Sequence, residues 1–269
     1  MLSIEEIKLL IEKLERAKKE DLQQLIDTNL KILKDLESTV NAVNTEIPDR
    51  LEKTPTWFYN DLKQKHIDPM KWEIVDEPLR RSIQLKIFQF AKTNIYNSLE
   101  IGPGNGMFSM DFRAWGQNYF LDVLPDREQI IRKKFPPAHQ KYLKFYTTKD
   151  TYCSELPSNC FNFVFSWDTF VFFTKEQIKK YLSSMNNILI PGAFCLIQYA
   201  DCHYDLDLQY AKRGYWNYNT KTTMSKLIQD AGYKIIEMNM YRPGNSYAVF
   251  QKPGKQNPVT FKVSEITLD

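Results

Sequence analysis

Asn97-Ser98-Leu99-Glu100-Ile101-Gly102-Pro103-Gly104-Asn105-Gly106 is a short strand-forming run that ends in a glycine-rich turn. Its glycines alternate as Gly102-x-Gly104-x-Gly106, which is not the G-x-G-x-x-G of a dinucleotide-binding turn. A residue without Cβ lets the backbone take positive φ and lets a ligand approach main-chain atoms closely. Between a strand and a helix, such a turn also aims free N–H groups at whatever lies above it. The stretch therefore reads as a nucleotide-type cradle at the head of an α/β domain, with a helix expected to follow it.

Downstream, apolar strand-like runs alternate with helical patterns, the signature of a parallel sheet with crossover helices. Strands are expected near 95–101, 119–122, 144–146, 161–166 and 193–199. Helices are expected over 127–134 and from Thr174, where Thr174-Lys175-Glu176-Gln177 forms a capping-box pattern. Ile178, Tyr181, Leu182 and Met185 then give that helix one apolar face. A last helix over 224–231 ends at Gly232, and strands follow near 233–238 and 247–251. The turn between those strands, with Pro243, Gly244 and Asn245, is too short for a parallel crossover, so they must form an antiparallel hairpin.

Upstream of the sheet, residues 1–45 carry apolar residues at helical spacing, with a polar break at Lys18-Lys19-Glu20-Asp21 and Asp21 as a second cap. This helical extension is expected to serve in packing, as an oligomer contact or as a lid. Residues 46–78, with Pro48, Pro55, Pro69, Trp57 and Trp72, read as an irregular aromatic-rich connection. Leu79 to Ala91 reads as a helix leading into the sheet. The domain built on the sheet spans 79–253, and 254–269 form a tail in which Val259 to Val263 alternate like a strand.

The chain of 269 residues has a formal charge of +3 and no block of basic residues. A phosphate-backbone footprint is therefore not required, and a nucleic-acid partner is not expected. No basic n-region leads an apolar run, and no window holds about eighteen consecutive apolar residues, so neither a secretory signal nor a membrane span is expected. Cys153, Cys160, Cys195 and Cys202 lack C-x-x-C spacing. They read as reduced thiols of a cytoplasmic protein, not as a metal site.

Two carboxylates frame the cradle. Glu100 precedes the turn at a strand's carboxyl end, where it suits a cationic or amine-bearing group and would repel a pyrophosphate. Asp122 closes the next expected strand, 20 positions beyond Gly102, where a carboxylate accepts hydrogen bonds from two ribose hydroxyls. For proton transfer, His203 follows the fifth strand in Tyr199-Ala200-Asp201-Cys202-His203-Tyr204-Asp205, and a near-neutral imidazole there can take a hydroxyl proton. Asp168, in Ser166-Trp167-Asp168-Thr169 after the fourth strand, is the second candidate base. Trp167 or Tyr199 could form an aromatic wall for a cationic methyl group. Asp201, Asp205 and Asp207 read as a solvated loop.

The run Leu99 to Gly106, Asp122 at the second strand end, Leu189-Ile190-Pro191-Gly192-Ala193 before the fifth strand and the closing hairpin together resemble class I S-adenosylmethionine-dependent methyltransferases over residues 75–253. The resemblance implies a Rossmann-like, seven-stranded, mostly parallel sheet and S-adenosylmethionine as cofactor. It gives Glu100, Gly102, Pro103, Gly104 and Gly106 the methionine half, Asp122 the ribose and Val123 the adenine. Asp150, Thr151 and Tyr152 become candidates for further adenine contacts. Ser166 and Trp167 would line the meeting point of cofactor and acceptor. The family's acidic fourth-strand position is Asn162 here, and neither an Asn- or Asp-Pro-Pro-aromatic motif nor a histidine near Phe172 is present. The implied activity is methyl transfer to a small or saccharide-like acceptor at oxygen, without a metal and with the helical extension as a route to homo-oligomers. The alternatives are an RNA or protein methyltransferase, or a non-catalytic cofactor-binding subunit.

Overall fold

The computed structural model describes residues 75–90, 97–112, 116–148 and 152–255, and positions 19, 23–24, 26–31 and 34 of an N-terminal helix. The chain divides into two compact units, residues 1–50 and 51–269. In the first, the described positions are helical, and Gln23 Nε2 donates to Asp27 Oδ1 one turn on at 3.0 Å. Apart from helical Lys19, the expected break at Lys18–Asp21 lies outside the described residues, as do most of the aromatic-rich connection and the strand-like tail.

In the second unit, β1 is Asn97–Ile101, β2 Gln117–Asp122, β3 Leu143–Thr147, β4 Phe161–Ser166, β5 Leu189–Tyr199, β6 Lys234–Met240 and β7 Ser246–Gln251. The helices are α1 Glu77–Phe90, α2 Arg127–Arg132, α3 Lys175–Ile188, α4 Asp205–Lys212 and α5 Lys221–Asp230. The seven strands lie in the order β3-β2-β1-β4-β5-β7-β6. The first five run parallel, and β7 is antiparallel to both β5 and β6. Strand order reverses between β1 and β4, and in open parallel sheets ligands bind at the carboxyl ends of the strands beside such a switch.

Covered on both faces, the central strands must be largely apolar, and every residue of β4, Phe-Asn-Phe-Val-Phe-Ser, is buried. Alternation divides the side chains between two layers. Leu99, Ile101 and Val164 pack with Tyr181 and Met185 of α3 and Met224 of α5. Phe163 and Phe165 pack with Ile83 and Ile87 of α1 and with Phe108 and Phe112. The α3 capping box forms as its sequence requires: Gln177 N donates to Thr174 Oγ1 at 3.2 Å, and Thr174 N donates to Gln177 Oε1 at 2.8 Å.

Three expectations change. Among the described residues, the helix expected after the glycine turn is represented by a 3-10 turn, Ser109–Phe112. Strand β5 starts at Leu189, ahead of the expected 193. A register shift against β4, between Phe161 and Phe163, lets the strand carry Pro191 and Gly192. Residues 205–212, read as part of a solvated acidic loop, form α4, and Asp201 and Asp207 are buried at 3% and 0% exposure.

Candidate active site

The three glycines of the cradle all have positive φ, 68° at Gly102, 55° at Gly104 and 78° at Gly106. Two of them differ sharply in what surrounds them. A Cβ on Gly102 would fall 2.0 Å from Thr169 Oγ1, so the loop after β4 can press against the loop after β1 only if this residue is glycine. A Cβ on Gly104 would meet nothing within 4 Å. Its main chain thus faces open space, which is what a ligand approaching the backbone needs.

Glu100 shares the sheet face of Phe165, its register partner, and is 4% exposed. Ser109 Oγ donates to its Oε2 at 2.5 Å. Burial pushes its carboxyl up to about 8; the negative fields of Asp111 and Asp122 add to this, while Ser109 and Lys134 oppose it. At neutral pH the residue is thus held largely protonated, and a cation placed beside it would favour ionisation. Asp122, at the end of β2, accepts from Leu124 N at 2.9 Å. Burial raises its pKa, whereas N–H groups of Leu124, Val123 and Gly104 and the Arg127 guanidinium favour its anion. Glu100 feels the charge of Asp122, and the Gly104 N–H faces that carboxylate, so the three lie together at the carboxyl ends of β1 and β2. Pro103 is buried in the same loop and Val123 is half-buried beside Asp122.

The neighbouring loop is drawn in by buried polar groups. Ser166 Oγ donates to Ile101 O at 2.8 Å and pins the end of β4 to the end of β1. Trp167 is 5% exposed and stacks on Phe165 with ring centroids 6.3 Å apart. Tyr199, at 1% exposure, is likewise core, so neither forms the expected open aromatic wall. Asp168 takes φ 52°, a left-handed conformation that aspartate tolerates better than most residues. Its N–H donates to Gln198 Oε1 at 2.9 Å, and Gln198 Nε2 donates to Gly244 O at 3.1 Å in the β6–β7 turn. Asp207 completes the frame, with Oδ1 accepting from Asp201 N at 3.1 Å and Oδ2 from Gly244 N at 2.9 Å.

That frame carries His203. Its side chain is 59% exposed and its Nδ1 lies 3.0 Å from Oδ1 of Asp201, which is 4% exposed. The same oxygen accepts from Lys221 N at 3.0 Å. With a carboxylate on Nδ1, the imidazole takes the tautomer whose Nε2 is the open basic nitrogen. His203 and Asp168 thus sit on loops after adjacent strands at the ligand edge of the sheet.

The remaining adenine candidates are described only in part. Asn162 opens β4, where its Oδ1 accepts from Asn97 N at 3.2 Å. That is the amino end of β1, opposite the glycine turn, so the missing acidic residue at this position is a matter of strand pairing and not of adenine. Tyr152 is exposed, with Lys180 Nζ of α3 5.7 Å from its ring centroid. Asp150 and Thr151 lie outside the described residues. Sequence reasoning passed over Gln198 and Asp207 as structural groups. The signal for Gln198 was a lone amide in the apolar run 193–199.

Residues 99–197 match the family described as methyltransferase domain. No curated protein matches the chain. Among solved structures, the N-methyltransferase NodS from Bradyrhizobium japonicum WM9, in complex with S-adenosyl-L-homocysteine, superposes with a TM-score of 0.57 at 15% identity, covering 73% of this chain and 98% of that one. A SAM-dependent methyltransferase from Aquifex aeolicus gives 0.51 at 17% identity, covering 69% and 98%. A provisionally assigned O-methyltransferase from Nostoc punctiforme PCC 73102 gives 0.55 at 10% identity, covering 65% of this chain and 56% of that one. At such identities these likenesses establish the fold.

Proposed function

The domain that opens with the Leu99–Gly106 strand and turn is a class I S-adenosylmethionine-dependent methyltransferase domain, and from that premise we propose that it methylates a hydroxyl group of a small or saccharide-like acceptor. The cofactor supplies an electrophilic methyl group on a sulfonium. Everything else falls to the chain. The open main chain at Gly104 and the carboxyl of Glu100 suit the amino-acid half, and Asp122 suits the ribose hydroxyls. Val123 lies beside that carboxylate, where it would meet the adenine.

The observation that carries the acceptor assignment is the Asp201–His203 pair, 3.0 Å apart on the loop after β5. An alcohol must lose a proton as its oxygen takes a methyl group, and a histidine oriented by a buried carboxylate is a suitable acceptor for it. Asp168, on the adjacent loop, is the second candidate base. Alignment of the reacting groups can lower a barrier by about 7–11 kcal/mol, so the rigid frame of Gln198 and Asp207 matters to rate as well as to fold. We assign the catalytic domain to residues 79–253 of a cytoplasmic protein, with residues 1–45 as a packing or oligomer module.

The test is a turnover assay for S-adenosylhomocysteine against pools of hydroxyl-bearing and amine-bearing small molecules. His203→Ala is expected to lower kcat on the hydroxyl acceptor at least 100-fold and leave cofactor affinity within twofold, in line with the 10²–10⁴-fold contribution of general-base catalysis. Turnover of amines alone, or an undiminished kcat in the variant, would refute the oxygen assignment. Turnover of transfer RNA with a steep salt dependence would favour a nucleic-acid acceptor instead.

A further inference from the structure

Arg127 is the first residue of α2, five positions past Asp122. Its side chain is only 12% exposed. Its Nε and Nη1 are both buried and have no hydrogen-bond partner among the described residues. Among the described residues, the carboxylate paired with it is Asp126, whose Oδ1 lies 3.5 Å from Nε on a side chain that is 63% exposed, too distant to satisfy a guanidinium N–H well. Arginine cannot shed its charge, and its donors sit in a rigid fork, so buried N–H groups on it require acceptors. Leu124 N donates to Asp122 Oδ1 at 2.9 Å and Arg127 N donates to Leu124 O at 3.4 Å, so one turn sets Arg127 beside that carboxylate, whose anion its charge favours. Asp122 has acceptors only, to meet ribose hydroxyl donors. Arg127 offers the complementary donors, to meet acceptor atoms such as the ribose oxygens or an adenine ring nitrogen.

We propose that Arg127 is a cofactor-binding residue, its orphaned guanidinium donors completing the adenosine subsite opposite Asp122. This rests on the placement of the nucleoside given above.

The test is calorimetric titration of the full chain with S-adenosylhomocysteine and with 5′-methylthioadenosine, which keeps the adenosine half and lacks the amino acid. Arg127→Met keeps the reach without the donors, and Arg127→Lys keeps the charge without the fork. The expected result is a tenfold or greater loss for both ligands in Arg127→Met and an intermediate loss in Arg127→Lys. Melting of the unliganded protein should be unchanged or raised, because an unsatisfied buried group has been removed. Affinity within twofold of wild type in Arg127→Met would overturn the proposal. If that variant does not fold, Arg127→Lys decides: weakened binding with native melting supports the role, and unchanged binding refutes it. Asp122→Ala in parallel separates the two readings. Weakening there but not at Arg127 sinks this inference alone, and no weakening at either site sinks the nucleoside placement itself.

Discussion

Replacing Glu100 by glutamine should make the unliganded protein more stable, and increasingly so as pH rises. The carboxyl is 4% exposed and burial carries its pKa from 4.5 up to about 8. Below pH 4.5 both folded and unfolded chains hold the proton, and the group contributes no pH dependence. Between 4.5 and 8 the unfolded chain releases the proton while the folded chain retains it. Stability attributable to this residue therefore falls by about 1.4 kcal/mol per pH unit across that window and levels off above it. The full effect has an upper bound of roughly 5 kcal/mol. Glutamine keeps an oxygen to accept from Ser109 Oγ, so the 2.5 Å contact can survive in neutral form. The assay is urea unfolding of both proteins from pH 5 to 8.5. The variant should match wild type near pH 5 and exceed it by several kcal/mol at pH 8.5. Parallel pH profiles would refute the reasoning, because they would mean that Glu100 ionises as freely in the fold as out of it.

Gly102→Ala should cost about 2–5 kcal/mol, from a left-handed alanine and overpacking against Thr169 Oγ1. Adding Thr169→Ala should recover part of that loss in chemical unfolding, and an equal cost of Gly102→Ala in both backgrounds would contradict the contact. Asp207→Ala should destabilise by about 2–5 kcal/mol, since it strips the acceptor from two buried N–H groups, Asp201 and Gly244. A change below about 0.5 kcal/mol, the ordinary range for surface substitutions, would show that the buried frame around His203 is not held by this carboxylate.

The succession of strands along the chain and the closing hairpin were legible because both follow from local rules. Period-two apolar runs mark strands, and a turn as short as Pro243-Gly244-Asn245 admits only a reversal. The cradle was legible because spaced glycines and a carboxylate at the next strand end have few other uses. What escaped was long-range. Asp207 looks like a solvated residue beside Asp205, yet it is buried because Gly244, 37 positions away, supplies an N–H to it. Gln198 is silent in sequence for the same reason, its partners being in two other loops. The helix expected after Gly106 was limited by length: only fifteen positions separate Gly102 from Gln117, and the described ones form the loop and one 3-10 turn. Trp167 was placed correctly along the chain, but the stacking that buries it depends on Phe165, Phe108 and Tyr241 together.

The central claim is that the crevice between the Gly102–Gly106 loop and Asp122 holds the cofactor. Its most direct measurement is isothermal titration of S-adenosylhomocysteine into wild type and Asp122→Ala. Saturable binding to wild type, weakened tenfold or more in the variant with its melting temperature preserved, is the expected result, and each tenfold corresponds to about 1.4 kcal/mol. Absence of binding to the folded wild type, or equal affinity in the two proteins, would contradict it.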